Sequence, residues 1–258
     1  MNARTTNACA ALSAAEFAGL SRAAEDYLAA KGKLMATLEQ AGNFIQSGLH
    51  RLPGNVQQIV ADRARDGLHL AFRSAILGLE GPSSDAGAAR FRMGGVVSGA
   101  LGGLGGLATT LAELPVTTGL IMRSVASIAR AEGFDLADEE VRATCIEVFA
   151  FGGPLEEDDD ADLAFWTARL GGRQVAQMVV TAAARYAPTM AAKIGAQAVP
   201  LLGAAVGAGL NFVYMDFYQR MARVVFALLP IERAHERAMV RSCFASVVAE
   251  RKGGRAAA

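Results

Sequence analysis

The feature that most constrains this chain is a pair of long segments without a single charged side chain. Met93 to Ala112 is twenty residues with seven glycines, and Ile194 to Met215 is twenty-two residues containing Pro200, Gly203, Gly207 and Gly209. As a helix the first would be about 30 Å long, the thickness of a bilayer core. Glycine adds little driving force for insertion, so the length permits spanning without demanding it. Small residues four apart, Gly95/Gly99/Gly103 and Gly203/Gly207, let helix backbones approach closely, and that spacing predicts helix packing at these five positions.

Around these segments the sequence predicts an all-α fold: a single compact multi-helix domain of about ten helices centred on the two glycine-rich runs. No stretch alternates β-branched and polar residues as a strand would. Ser13 and Glu16 have capping-box spacing and open an alanine-rich helix. Pro115 is expected to break or kink the chain after the first run, Gly133 to stop the following helix, and Asp138 with Glu139 and Glu140 to start the next. Leu229-Pro230 is expected to end a helix. The last one carries Val240, Cys243, Phe244, Val247 and Val248 on one face and Arg233, Arg237 and Arg241 on another. Docking of its apolar face on the domain is favoured over its basic face lying on an anionic membrane. The regions are read as 1–48, an N-terminal helical part; 49–250, the main helical domain; and 251–258, a disordered tail.

Charge narrows the function. Hydrophobic residues make up 52% of the chain and charged ones 19%, which suits either a tightly packed helical domain or a protein at a membrane. The net charge is 0, and no basic-aromatic pattern suggests nucleic acid as a partner. Eleven acids between Asp135 and Asp162 face a single Arg142, whereas Arg220 to Arg255 holds eight basic residues. Cys9, Cys145 and Cys243 lack paired spacing, so reduced thiols and a cytoplasmic location are expected, peripheral to the inner face of the cell membrane. The N-terminus has no apolar core of a secretory signal.

No motif supplies catalysis, a metal site or a cofactor. His235-Glu236 is followed by Met239 where a zinc protease needs its second histidine, and His50 and His69 are isolated. The glycines lack the lysine of a phosphate loop. Asp158, Asp159, Asp160 and Asp162 lack the pattern of a calcium loop and read as solvated. Glu113 and Asp216 stand out because each borders an uncharged run, where a carboxylate needs a partner. Arg220 is four residues from Asp216, an ordinary helical pair. For Glu113 the nominee is Arg123.

Two stretches, Leu107 to Arg142 and Lys193 to Phe226, resemble the EcsC family of bacterial proteins. The first carries Leu114-Pro115, Arg123-Ser124 and Gly133-Phe134-Asp135; the second carries Lys193, Pro200, Gly203-Ala204, Gly207-Ala208 and Asn211. Glu132 departs from the aromatic residue of the family pattern, and the acidic loop is longer. That family is named for a gene beside an ABC transporter in an operon linked to secretion and protein processing, and it brings no catalytic residues to carry over. The resemblance directs attention to the polar residues of the matching blocks, Glu113, Arg123, Lys193, Asn211 and Asp216, as candidate ligand-binding positions. The expected role is a non-enzymatic, membrane-associated accessory protein whose partner is a membrane surface or membrane protein. The alternative is a carrier of a lipid or other apolar ligand, or an enzyme, with its site between the glycine-rich helices and Glu113 or Asp216 as polar anchor.

Overall fold

A computed structural model describes residues 8–30, 59, 62–63, 66–67, 85–104, 107–151, 182 and 203–256. Among them every regular element is a helix and none is a strand. Helix α1 covers residues 14–30. It is followed by α2 (Asp85–Leu104), α3 (Leu107–Ala131), α4 (Glu139–Glu147) with a 3-10 turn at Val148–Phe151, α5 (Gly203–Ala234) and α6 (Arg237–Ala256). The expectation of about ten helices and the 48/49 boundary extend over residues outside the described ones, as do the calcium candidates Asp158 to Asp162.

Local chemistry sets several ends. Ser13 Oγ accepts from the Glu16 amide at 3.3 Å while the Glu16 carboxylate accepts from the Ser13 amide at 2.8 Å, so the capping box closes as its spacing predicts. The Ser13 hydroxyl also donates to the Glu16 carboxylate at 2.7 Å, and this bond first, then the one from the Ser13 amide, with a lesser contribution from His235, lower the Glu16 pKa from 4.5 to about 2. Helix α3 ends in a Schellman turn. Gly133 has φ 87°, its amide donates to the Arg130 carbonyl, and the Phe134 amide donates to the Ala129 carbonyl, both at 3.0 Å. The turn lays Phe134 against Phe226, with ring centroids 5.2 Å apart. Asp138 then caps α4 by accepting from the Glu140 amide.

Two prolines behave otherwise than their local chemistry suggests. Pro115 lies inside α3 and Pro230 inside α5, and neither ends its helix. A proline in a helix interior costs about 3 kcal/mol, so packing has to hold both flanks. Leu114, Thr117 and Thr118 are buried around Pro115, and Leu228, Leu229 and Ile231 around Pro230. The first uncharged run is not one 30 Å rod either. It is divided between α2, ending at Leu104, and α3, beginning at Leu107. Among the described residues no helix is long and apolar enough to cross a membrane.

The core lies along α5, whose Tyr214, Phe217, Tyr218, Met221 and Phe226 are almost fully buried against Ile121, Met122 and Val125 of α3 and Phe149 of the 3-10 turn. The Phe149 and Tyr218 rings stack with centroids 5.1 Å apart. Helix α6 turns its apolar face inward, burying Val240, Cys243, Phe244, Val247 and Val248. It continues to Ala256, past Gly253, where the sequence suggests a tail.

Helix α1 runs beside α6 in the same direction. Glu16 near its start meets His235 at 3.0 Å, Glu25 further along pairs with Arg251, and Tyr27 packs edge-on against Phe244. Cys9 and Cys243 are joined as a disulfide, which corrects the expectation of three reduced thiols; a separation of 234 residues leaves no local signal of pairing. Cys145 alone is a free, buried thiol, its pKa pushed by burial to about 12.

Candidate functional site

The two glycine-rich runs meet where α2 crosses α5. A Cβ on Gly99 would collide with the Gly207 carbonyl oxygen and would sit 2.7 Å from the Asn211 side-chain nitrogen, so only glycine allows this approach. Gly95 faces Asn211 and Met215 at ordinary contact distance. Gly95, Gly99 and Gly207 thus lie where α2 and α5 come close. The surroundings of Gly103 and Gly203 are not among the described side chains.

At this crossing the structure brings together Glu113 of α3 and Asn211 of α5, both buried. Asn211 Nδ2 donates to the Gly95 carbonyl at 2.8 Å and to Glu113 Oε1 at 2.9 Å, with Thr117 Oγ1 at 3.3 Å. Ser98 Oγ donates to the same carboxylate oxygen at 2.8 Å, and Thr117 Oγ1 also bonds to it. The acceptors around Nδ2 fix the orientation of the amide, since a flip would turn its oxygen onto a carbonyl and a carboxylate. Asn211 Oδ1 is buried and has no hydrogen-bond partner among the described residues.

Glu113 thus gains hydroxyl and amide donors, and the nomination of Arg123 fails on geometry. Arg123 is ten residues further along the same helix, about 15 Å by rise, beyond the reach of the two side chains. Asp216 stands apart too, bonded to Arg220 at 2.7 Å and 3.6 Å from Arg92, which also donates to Gln219. Gln219 in turn donates to Ser124 of the Arg-Ser pair in α3. Lys193 lies outside the described residues. Of the five candidates, then, two share one site and two are separate from it and from each other.

Glu113 also borders an open groove of about 510 Å³ between α2 and α3. Gly102 and Thr109 lie nearest the α2–α3 connection and Gly94 and Leu120 farthest from it, with Ser98 and Glu113 between them and Leu101 and Ala112 also in the lining. Gly102 makes room for the carboxylate, since a Cβ there would press on Glu113 Cγ at 3.1 Å. Thr109 Oγ1 donates to the Gly102 carbonyl at 2.7 Å. Met93, Val97 and Leu101 of α2 and Val116 of α3 are more than half exposed. Sequence reasoning missed Ser98, Gly102 and Thr117. Thr117 was accessible, because it follows Glu113 by four residues on one helix.

A second polar assembly, also missed, joins α4, α5 and α6. Asp138, Arg233, Glu140, Arg237, Glu232, Arg241 and Glu147 alternate in an unbroken chain of ion pairs between 2.6 and 3.0 Å. The outer links are half-exposed, whereas Arg241 and Glu147 are enclosed. The arginines read as a basic face are each held in ion pairs within the chain, Arg233 at the surface and Arg241 in the interior. Burial raises the Glu147 pKa to about 7 against the opposing influence of Arg241. Among the described residues no group of three or more His, Cys, Asp or Glu is placed to hold a metal ion.

No curated protein and no solved structure matches the chain. Residues 85–228 match the EcsC protein family, a span running from the start of α2 into α5. It contains Glu113 and Asn211, the Gly99–Gly207 crossing and the Gly133-Phe134-Asp135 turn. On that match, over more than half its length, the chain belongs to the EcsC protein family.

Proposed function

We propose that this protein is a non-enzymatic, membrane-associated accessory protein that meets lipid through the outward face of α2 and α3. The observation that carries this reading is a stripe on α2. Met93, Val97 and Leu101, one turn apart, are 64%, 52% and 63% exposed, and Val116 on α3 adds to the same groove-bearing face. Exposed Arg90 continues the stripe at its N-terminal end, where a long basic side chain can reach lipid phosphate while its stem lies on apolar surface. Contact is peripheral in this reading. The proposal concerns a membrane surface and not a side of it, because the Cys9–Cys243 bond removes the reduced-thiol argument for the cytoplasmic face.

Vesicles of phosphatidylethanolamine and phosphatidylglycerol test it. The full-length protein is expected to float with them, and a Met93→Ser/Val97→Ser/Leu101→Ser variant to stay behind with unchanged helicity. Full-length protein that never floats, even at low salt, refutes membrane contact.

A second reading, carriage of an apolar ligand, has its own support in the groove. Its volume falls in the range of about 300–1,000 Å³ common for small-molecule sites. Its wall is largely apolar, with Ser98, Thr109 and Glu113 as the polar side chains among the described residues.

A further inference from the structure

We infer that Arg92, Arg220 and Arg223 hold the phosphate of an anionic lipid headgroup, at the end of the α2–α5 pair where α2 begins. This rests on the membrane reading and supplies the headgroup class that reading lacks.

The seat is built on Asp216. Its carboxylate accepts from Arg220 Nε at 2.7 Å through Oδ2 and meets Arg92 Nη1 at 3.6 Å through Oδ1, so one acid of α5 holds a guanidinium from each helix. Each guanidinium keeps donors in reserve. Arg220 donates through Nε alone, and its two terminal nitrogens bond to no described residue; Arg92 donates only through Nη1, to Gln219. Both side chains are more than a quarter exposed. A planar fork of N–H groups suits the oxygens of a phosphate. The Arg223 side chain forms no ion pair among the described residues and is partly exposed. It follows Arg220 by three residues and Asp216 by seven, which puts all three on one face of α5. Three arginines around one aspartate leave the cluster positive. A net negative headgroup is therefore favoured over a zwitterionic one, whose ammonium group the excess charge would repel.

Exposed apolar side chains adjoin the cluster. Gly95 lies against Asn211 and Gly99 against Gly207, so α2 and α5 run antiparallel. Phe212, one turn before Asp216 on the same face of α5, is 46% exposed, and exposed Met93 follows Arg92 on α2. Val97 and Leu101 continue the exposed apolar surface away from the arginines. Along the pair the surface thus passes from apolar side chains to arginine, the order in which a bilayer passes from hydrocarbon to phosphate. That order favours a lipid over a free anion, which gains nothing from Phe212 or Met93.

Sedimentation of the full-length protein with vesicles of phosphatidylcholine alone, and with phosphatidylglycerol added, tests the inference. Binding to the anionic vesicles is expected to be at least about tenfold tighter. Arg220→Gln/Arg223→Gln should remove most of that preference with unchanged helicity. Arg223→Gln alone, which breaks no ion pair among the described residues, should remove part of it. Arg22→Glu, at an exposed position of α1, changes the net charge as much as the double variant does and should leave the preference nearly intact. Millimolar inorganic phosphate at constant ionic strength should not displace the protein. Equal binding to both vesicles, an undiminished preference in Arg220→Gln/Arg223→Gln, an equal loss in Arg22→Glu, or displacement by inorganic phosphate overturns the inference and leaves the membrane reading standing. If the protein binds neither vesicle, both fall.

Discussion

Arg241 and Glu147 meet 2.8 Å apart with 1% and 3% of their side chains exposed, a salt bridge closed off from solvent between α6 and α4. Arg241 also holds Glu232 at 2.7 Å. Removing one partner of such a bridge strands the other charge in the interior, which costs more than the intact pair contributes. Arg241→Leu is therefore expected to destabilise the protein by about 3–5 kcal/mol in urea unfolding. The double variant Arg241→Leu/Glu147→Leu should recover part of that loss, and strict additivity of the two single changes would contradict the coupling.

The same carboxyl gives a pH dependence of definite sign. With a folded pKa of about 7 against the ordinary carboxyl value of 4.5, Glu147 binds more protons in the folded state than in the unfolded one between those values. Its contribution to stability therefore declines as pH rises from about 4.5 to about 7. Glu16, lowered to about 2, acts in the opposite sense: its contribution is present above 4.5 and is lost as pH falls toward about 2. Thermal melts of the protein and of Glu147→Gln across this range should differ in slope mainly between pH 4.5 and 7. Glu16→Gln should flatten the acid limb.

At the helix crossing, Gly99→Ala pushes a methyl into the Gly207 carbonyl and the Asn211 amide. Both are held by packed helices, so the expected loss is about 3 kcal/mol, near the upper end of ordinary overpacking. Gly209 of α5 has nothing within 4 Å of a built Cβ, and Gly209→Ala is expected to gain up to about 1 kcal/mol from helix propensity. Equal effects at the two positions in chemical denaturation would contradict the crossing.

Asn211→Asp keeps the shape of the side chain and replaces its donor with an acceptor facing Glu113 and the Gly95 carbonyl. Two carboxyl groups then share one buried site. A loss of about 2–4 kcal/mol at neutral pH is expected, shrinking in acid as one of them takes up a proton. A loss that does not vary with pH would argue against contact between the two side chains.

For the cross-link between the N-terminus and α6, reducing agent should lower the melting temperature of the protein and leave that of Cys9→Ser unchanged. The stability at stake is about 2–4 kcal/mol, typical of a bond closing a long loop. Intact mass before and after reduction, with alkylation, checks the pairing directly.

Much of the helical punctuation was legible in the sequence because its causes are local. Ser13 and Glu16, Asp138, and Gly133 with Phe134 each satisfy backbone groups a few residues away, and the structure uses them at those positions. The close approach of the two uncharged runs was legible as well, since glycines four apart mark a helix face without side chains. Neither Pro115 nor Pro230 ends its helix, and Pro230 misled, because the local rule prices a lost hydrogen bond and a clash, whereas the buried residues on either side of each proline hold the helix continuous.

By itself, then, the sequence determined the all-α class, the main stops and caps, and the prominence of Glu113 and Asn211. Only the tertiary structure decided that these two share one site while Arg123 and Asp216 do not, that Cys9 finds Cys243, and that three arginines read as a surface face are spent on four acids. The physical reason is range. Capping and propensity act within a turn or two of the chain, but the partner of a buried charge is chosen by which helices cross, and Glu113 and Asn211, 98 residues apart, meet only once α3 and α5 have packed.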